Sequence, residues 1–146
     1  MKIGMKYLKI KTLTKEWHDK DEVLLHSAFQ LLSDFIEKEK PGKLIDWSTD
    51  QRHKKAWKEI RALYGWWKAK RPSRKDPLEN KSLISPPLRF KKIPGSNLSQ
   101  MVQPDRRKYA KYYQSLNRSF ALQQKWDKED QRNLHRLVEI RSFLWT

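Results

Sequence analysis

The sequence predicts a mainly α-helical protein: a small domain of about four helices with a short extended N-terminal segment and a long proline-rich loop. Three observations carry this. Apolar residues recur at three- and four-residue steps over 19–39 and again over 48–71, the period of one helix face. Six of the seven prolines fall within 72–104, where that period is lost. No cysteine is present, so disulfides, thiolate-bound zinc, iron–sulfur clusters and cysteine nucleophiles are excluded, and the chain is long enough to bury a moderate core without a staple. At 146 residues the chain has the usual length of one domain, and 1–146 is read as one.

Residues 1–18 form the extended segment. In KYLKIKTLT, Leu8, Ile10 and Thr12 alternate with Lys9 and Lys11, the period of a half-buried strand. A short piece docked on the helices is the preferred reading, and a basic arm that orders only on binding is the alternative. Residues 19–71 form a helical pair. From about Asp19 to Glu39, Leu24, Leu25, Ala28, Leu31, Leu32, Phe35 and Ile36 make one broad apolar face. Asp21 and Glu22 suit the positive start of this helix, Lys38 and Lys40 suit its end, and Pro41-Gly42 stops it. The second helix starts near Ser48 or Thr49, with Trp47 as a staple residue and Ser48 and Gln51 at capping-box spacing. Ala56, Trp57, Ile60, Leu63, Tyr64 and Trp67 form its apolar stripe, Arg52, Lys54, Lys55, Lys58, Arg61 and Lys68 occupy its other faces, and Pro72 ends it.

Residues 72–104 read as a basic, proline-rich loop. A structureless connection of roughly thirty residues is unusual inside a compact domain, which points to a functional loop, a segment that orders on a partner, or a linker. Over 105–146 a third helix is expected to start at Pro104 and run through Tyr109, Tyr113, Leu116 and Phe120. The apolar repeat lapses at Gln123-Gln124. Asp127 and Asp130 then read as a fresh start, giving a fourth helix lined by Leu134, Leu137, Val138, Arg141 and Leu144 or Trp145.

Thirty-three Lys and Arg against seventeen Asp and Glu give a net charge of +16, more than solubility requires. Residues 1–50 are neutral, with nine of each sign, whereas 51–100 carry fourteen basic side chains against three acidic and 101–146 carry ten against five. Self-repulsion of this size is relieved by a polyanion, so nucleic acid is the expected partner, with an acidic protein surface as another. The candidate phosphate contacts are Lys54, Lys55, Lys58, Arg61, Lys68, Lys70, Arg71, Arg74, Lys75, Arg89, Lys91, Lys92, Arg106, Arg107 and Lys111. Adjacent Trp66 and Trp67 cannot face the same way on a regular helix. Trp66 is therefore the candidate for an exposed ring that stacks on a base beside Lys68, Lys70 and Arg71, against the plainer reading that it packs under the loop. Tyr112, flanked by Lys108 and Lys111, is a second accessible aromatic, while Tyr113 fits the apolar face. No zinc-finger spacing, GxxG clamp, ribonucleoprotein aromatic motif or clear helix-turn-helix occurs, so binding is expected to be non-specific or directed by shape.

Catalysis finds little support. Glu22 with His26, and His135 with Glu139, sit one helical turn apart, and Asp50 with His53 could form a proton relay. No nucleophile, metal triad or Gly-rich phosphate loop accompanies them, so no catalytic residue, metal or cofactor is expected. No stretch approaches eighteen apolar residues, and the start MKIGMKYLKIKTL has no small-residue cleavage site, so no membrane span and a cytoplasmic location are expected.

The segments DKDEVLLHSAFQLLSDFIEKE (19–39), DWSTDQRHKKAWKEIRALYGWWKAKRP (46–72) and LHRLVEIRSFLWT (134–146) resemble a group of uncharacterised proteins encoded by tailed bacteriophages. Asp46-Trp47 followed by Asp50 and His53, the Trp57-to-Trp67 run ending in Arg71-Pro72, and the terminal Ile140-Arg141 and Leu144-Trp145-Thr146 carry the likeness. The resemblance implies a host bacterial cytoplasm. It also implies one of two roles: handling nucleic acid, or, as an anti-defence effector, binding and inhibiting a host protein or ribonucleoprotein complex.

Overall fold

A computed structural model describes residues 7–144 and shows a mainly helical fold, as expected. The helices are α1 (Lys20–Glu39), α2 (Pro41–Leu44), α3 (Gln51–Gly65) and α4 (Ala110–Glu139), and an antiparallel pair, β1 (Phe90–Lys92) and β2 (Ser99–Met101), is the one sheet among the described residues. Packing groups the chain into two compact units. A core unit comprises the residues up to Arg74 and those from Lys128 onward, and a hairpin unit comprises Lys75–Asp127.

In the core unit α1 buries a narrower stripe than its sequence suggests. Leu25, Phe29, Leu32 and Phe35 are buried, whereas Leu24 and Leu31 lie at the surface. The steps of four and three residues keep one line of side chains turned inward and rotate Leu24 and Leu31 out of it. Polar side chains buried beside this stripe are satisfied: Ser33 Oγ donates to the Phe29 carbonyl at 2.8 Å, and Gln30 Nε2 donates to Asp34 at 3.0 Å. The segment before α1 is not a strand over its described residues. It docks on α1 by polar bonds instead, from the Lys11 N–H to Gln30 Oε1 at 3.1 Å and between Thr12 Oγ1 and His26 Nδ1 at 2.6 Å. Residues 1–6 of the expected extended segment lie outside the described residues.

Lys40 turns left-handed, with φ 49°, and Pro41 then opens α2, so Pro41-Gly42 redirects the chain into a further helical turn. Gly42 lets the chain pass close to Trp57: a Cβ here would lie 3.1 Å from that ring, a contact that needs the ring to shift by a few tenths of an ångström. Trp47 stacks on Trp57 at 4.9 Å and donates its indole N–H to the Pro41 carbonyl at 3.1 Å. The cap of α3 is Asp50 rather than Ser48. Its carboxylate accepts the His53 backbone N–H at 2.8 Å, while the Ser48 hydroxyl donates to Asp46.

Ala56, Ile60 and Leu63 of α3 are buried against α1 together with Leu137 of α4, and Leu134, Ile140, Phe143 and Leu144 pack around them. Each fully buried Leu, Ile or Phe contributes about 1.5–3 kcal/mol. Val138 stays at the surface, and Trp145 lies outside the described residues. After Gly65 the helix widens into one π-turn, Trp66–Lys70, in which the Arg71 N–H reaches back five residues to the Trp66 carbonyl. The wider turn lets consecutive indoles face α1: Trp67 stacks on Phe29 at 4.6 Å and Trp66 meets the same ring at 5.3 Å.

The hairpin unit replaces the expected structureless loop with local order. Asp76 caps a short 3-10 turn, Pro77–Glu79, by accepting the Leu78 N–H at 2.9 Å, and residues 90–101 form the β-hairpin. The expected third and fourth helices are one. Residues 110–139 contain no Pro or Gly, and good helix formers such as Ala121, Leu122, Gln123, Gln124 and Lys125 carry the backbone ladder through the lapse in apolar period. Pro104 precedes rather than opens α4. Asp105 Oδ1 accepts the Arg107 N–H at 2.9 Å in an intervening turn. Phe120 is exposed, and no apolar side chain among the described residues of this unit is buried.

Candidate nucleic-acid interface

Two sets of cations in the core unit bear on the site. The first is engaged with carboxylates. Arg71 donates from Nε and Nη2 to the two oxygens of Asp130, each at 3.0 Å, and its guanidinium lies 4.9 Å from the Trp67 ring centroid. Arg74 donates to Glu129 at 3.0 Å and to Asp130 at 2.8 Å, over the Trp66 ring. Arg136 makes a bidentate pair with Glu59 and donates to Asn133 Oδ1 at 2.8 Å. Lys68 pairs with Glu37 at 3.1 Å. Burial pushes the Asp130 carboxyl up, but hydrogen bonds from Arg71 and Arg74 outweigh it and hold the group below its ordinary value. The Trp66 indole N–H, then Arg74, do the same for Glu129. These arginines clamp the end of α3 to α4.

Two sequence expectations are therefore corrected. Trp66 is 7 % exposed and donates its N–H to Glu129 at 2.7 Å, so its ring is not a stacking platform. Arg71 and Arg74 neutralise Glu129 and Asp130 instead of facing outward. Asp50 and His53 do pair, within a helix cap, with His53 Nδ1 3.0 Å from the Asp50 carboxylate and the imidazole near the Phe143 ring. The His53 N–H bond, ahead of the imidazole contact, lowers the Asp50 pKa. No group of three or more potential metal ligands occurs among the described residues.

The second set is exposed. Lys54, Lys55, Lys58, Arg61 and Lys70 on α3 and its π-turn, and Arg132 on α4, make no ion pair among the described residues. Arg61, Lys70 and Arg132 rim an open groove of about 620 Å³ between α3 and the C-terminal part of α4, with Ala62, Gly65 and Ala69 among the residues lining it. A Cβ on Gly65 would meet nothing within 4 Å, so the groove is open there. Arg136 also walls an adjoining groove of about 510 Å³ that Arg52 and Lys55 line. Small residues at 62, 65 and 69 fall on one side of the helix and let a ligand approach the backbone. Arg132 was missed in the sequence because its neighbours across the groove lie more than sixty positions earlier in the chain. The Ala62-Gly65-Ala69 stripe was the readable signal.

Lys75, Arg89, Lys91, Lys92, Arg106, Arg107 and Lys111 belong to the hairpin unit and are exposed there. The Arg106 guanidinium lies 5.1 Å from the Tyr113 ring centroid, and Tyr112 meets Tyr113 edge-on at 5.6 Å, both rings half-buried. No ion pair joins two residues of this unit. No helix among the described residues is long and apolar enough to cross a membrane. No protein-family model, curated protein or solved structure matches the chain.

Proposed function

We propose that the protein binds nucleic acid without base specificity, holding a phosphate backbone along the grooves between α3 and the C-terminal part of α4. The observation that carries the reading is the division of cations within one unit. Arg71, Arg74 and Arg136 are consumed by carboxylates, while Lys54, Lys55, Lys58, Arg61, Lys70 and Arg132 make no ion pair among the described residues, and three of them, Arg61, Lys70 and Arg132, rim an open groove. A run of exposed cations left without carboxylates along α3 suits counterion release from a polyanion. Together with the resemblance to phage proteins, this reading places the protein in the cytoplasm of an infected bacterium. The test is fluorescence anisotropy with labelled DNA and RNA, duplex and single-stranded. The expected result is tight binding at low salt and a loss of about 10³-fold or more between about 50 and 200 mM salt. Absence of binding to every probe at low salt removes the proposal.

A second reading, the phage effector that inhibits a host protein or ribonucleoprotein complex, is favoured by Leu24 and Leu31. They stand seven residues apart on α1 and are 61 % and 57 % exposed, an apolar line of the kind that docks on protein. Retention of a bacterial partner after nuclease treatment, lost in a Leu24→Asp/Leu31→Asp variant, would favour it over the first.

A further inference from the structure

We infer that the β1–β2 hairpin is an arm that enters the groove of a double-stranded nucleic acid. The inference rests on the nucleic-acid reading above and specifies both the form of the partner and a second element that meets it.

Phe90 pairs with Met101, Lys91 with Gln100 and Lys92 with Ser99. The ladder extends at both ends, with the Val102 N–H on the Arg89 carbonyl at 2.8 Å and the Ile93 N–H on the Leu98 carbonyl at 2.9 Å. All six strand residues are exposed, so both faces of the ribbon are open to solvent. An isolated two-stranded hairpin is at best marginally stable in water, and a surface that covers one face supplies what is missing. The tip is nonetheless set. Pro94 fixes its own φ, Gly95 takes a φ of 76° that a side chain would resist, and the Ser96 N–H closes on the Ile93 carbonyl at 3.2 Å.

Charge names the covering surface. Between Glu79 and Asp105 the chain carries no carboxylate, and Lys81, Arg89, Lys91 and Lys92 all fall there. Alternation places Arg89 and Lys91 on one face of the ribbon and Lys92 on the other, so long cationic side chains reach both walls of a groove. A two-stranded ribbon matches the roughly 12 Å width of a duplex major groove. The exposed apolar residues of the arm are mainly aliphatic, Leu88, Ile93, Leu98 and Met101 beside a single Phe90, which suits sugar and base-edge contact better than the stacking on aromatic faces that single strands use. Ser96 and Asn97 at the tip are polar, which disfavours insertion into a lipid bilayer.

The test uses the full chain and an Arg89→Gln/Lys91→Gln/Lys92→Gln variant, titrated against a labelled DNA duplex, its isolated strand, and vesicles of phosphatidylglycerol. The expected result is a loss of about tenfold or more on the duplex at about 100 mM salt, a salt slope lower by nearly three, and a loss of less than about threefold on the single strand. An Ile93→Ser/Leu98→Ser variant keeps every charge and is expected to retain the wild-type slope while losing about threefold in duplex affinity. Circular dichroism equal to wild type shows that the variants remain folded. Wild type that binds neither probe removes the nucleic-acid reading and this inference together. Wild type that binds, with variants that lose nothing or lose equally on duplex and single strand, overturns the arm alone. Loss confined to the vesicles also overturns it and assigns the hairpin to an anionic membrane surface.

Discussion

In the core unit Arg71, Arg74 and Arg136 end on carboxylates and two of them lie over indoles, whereas in the hairpin unit Arg89, Lys91 and Lys92 meet no carboxylate. Full burial of apolar side chains is also confined to the core unit. Phe29, Leu32, Ile60 and Leu63 are fully buried in the core unit, while Leu88, Phe90 and Leu98 are exposed in the other. The hairpin unit carries eleven Lys and Arg against four Asp and Glu, and two of those acids, Asp76 and Asp105, cap backbone N–H groups. Net charge alone therefore does not locate a binding surface. In the core unit Arg71, Arg74 and Arg136 serve the fold, and only cations left over after pairing are available to a ligand.

The largest expected effect breaks the core side of this comparison. Phe29→Ala removes the ring on which both indoles rest and is expected to cost about 3–5 kcal/mol in denaturant unfolding. Asp130→Asn strips both arginines of their shared partner and is expected to cost about 2 kcal/mol, below the range for fully buried pairs because all three side chains keep some exposure. The same residue sets a pH dependence. Asp130 and Glu129 titrate lower folded than their ordinary values of 3.8 and 4.5, so the unfolded chain binds protons first as pH falls. Their stabilisation is complete above those values and lost as pH drops through the folded pKa, and the melting temperature of Asp130→Asn is expected to fall less steeply than that of wild type over this range.

A smaller effect separates stability from binding. Gly65→Glu replaces a helical glycine facing open space, so thermal unfolding is expected to show a gain of about 0.5–1 kcal/mol. The new carboxylate stands in the groove with Arg61, Lys70 and Arg132, and affinity for a labelled duplex is expected to fall about tenfold. A variant that is more stable and binds as wild type would move the site away from this groove.

Much of the fold was legible where periodicity is strong. The spans of α1 and α3, the stripe Ala56, Ile60 and Leu63, and the exposed Lys54, Lys55 and Lys58 follow from residue spacing alone. The left-handed Lys40, the π-turn at Trp66 and the continuity of α4 did not, because each depends on backbone geometry or propensity that leaves no apolar period. Three-residue strands are too short to show alternation. In the candidate site, Trp66, Arg71 and Arg74 were misassigned because their partners lie 55 to 63 positions away, at Glu129 and Asp130, beyond any local pattern.

The division of cations is tested most directly by two variants that each remove two positive charges from the core unit, Arg71→Gln/Arg74→Gln and Lys54→Gln/Lys58→Gln. Both are titrated against one DNA duplex over a range of salt, at a temperature where each remains folded. The first is expected to lower the melting temperature and to change the slope of log affinity against log salt by less than about one, because it unmasks Glu129 at the groove without removing a phosphate contact. The second is expected to lower that slope by about two at unchanged melting temperature. An equal fall in slope for the two variants would contradict the account, because it would show Arg71 and Arg74 to be as available to phosphate as the unpaired lysines.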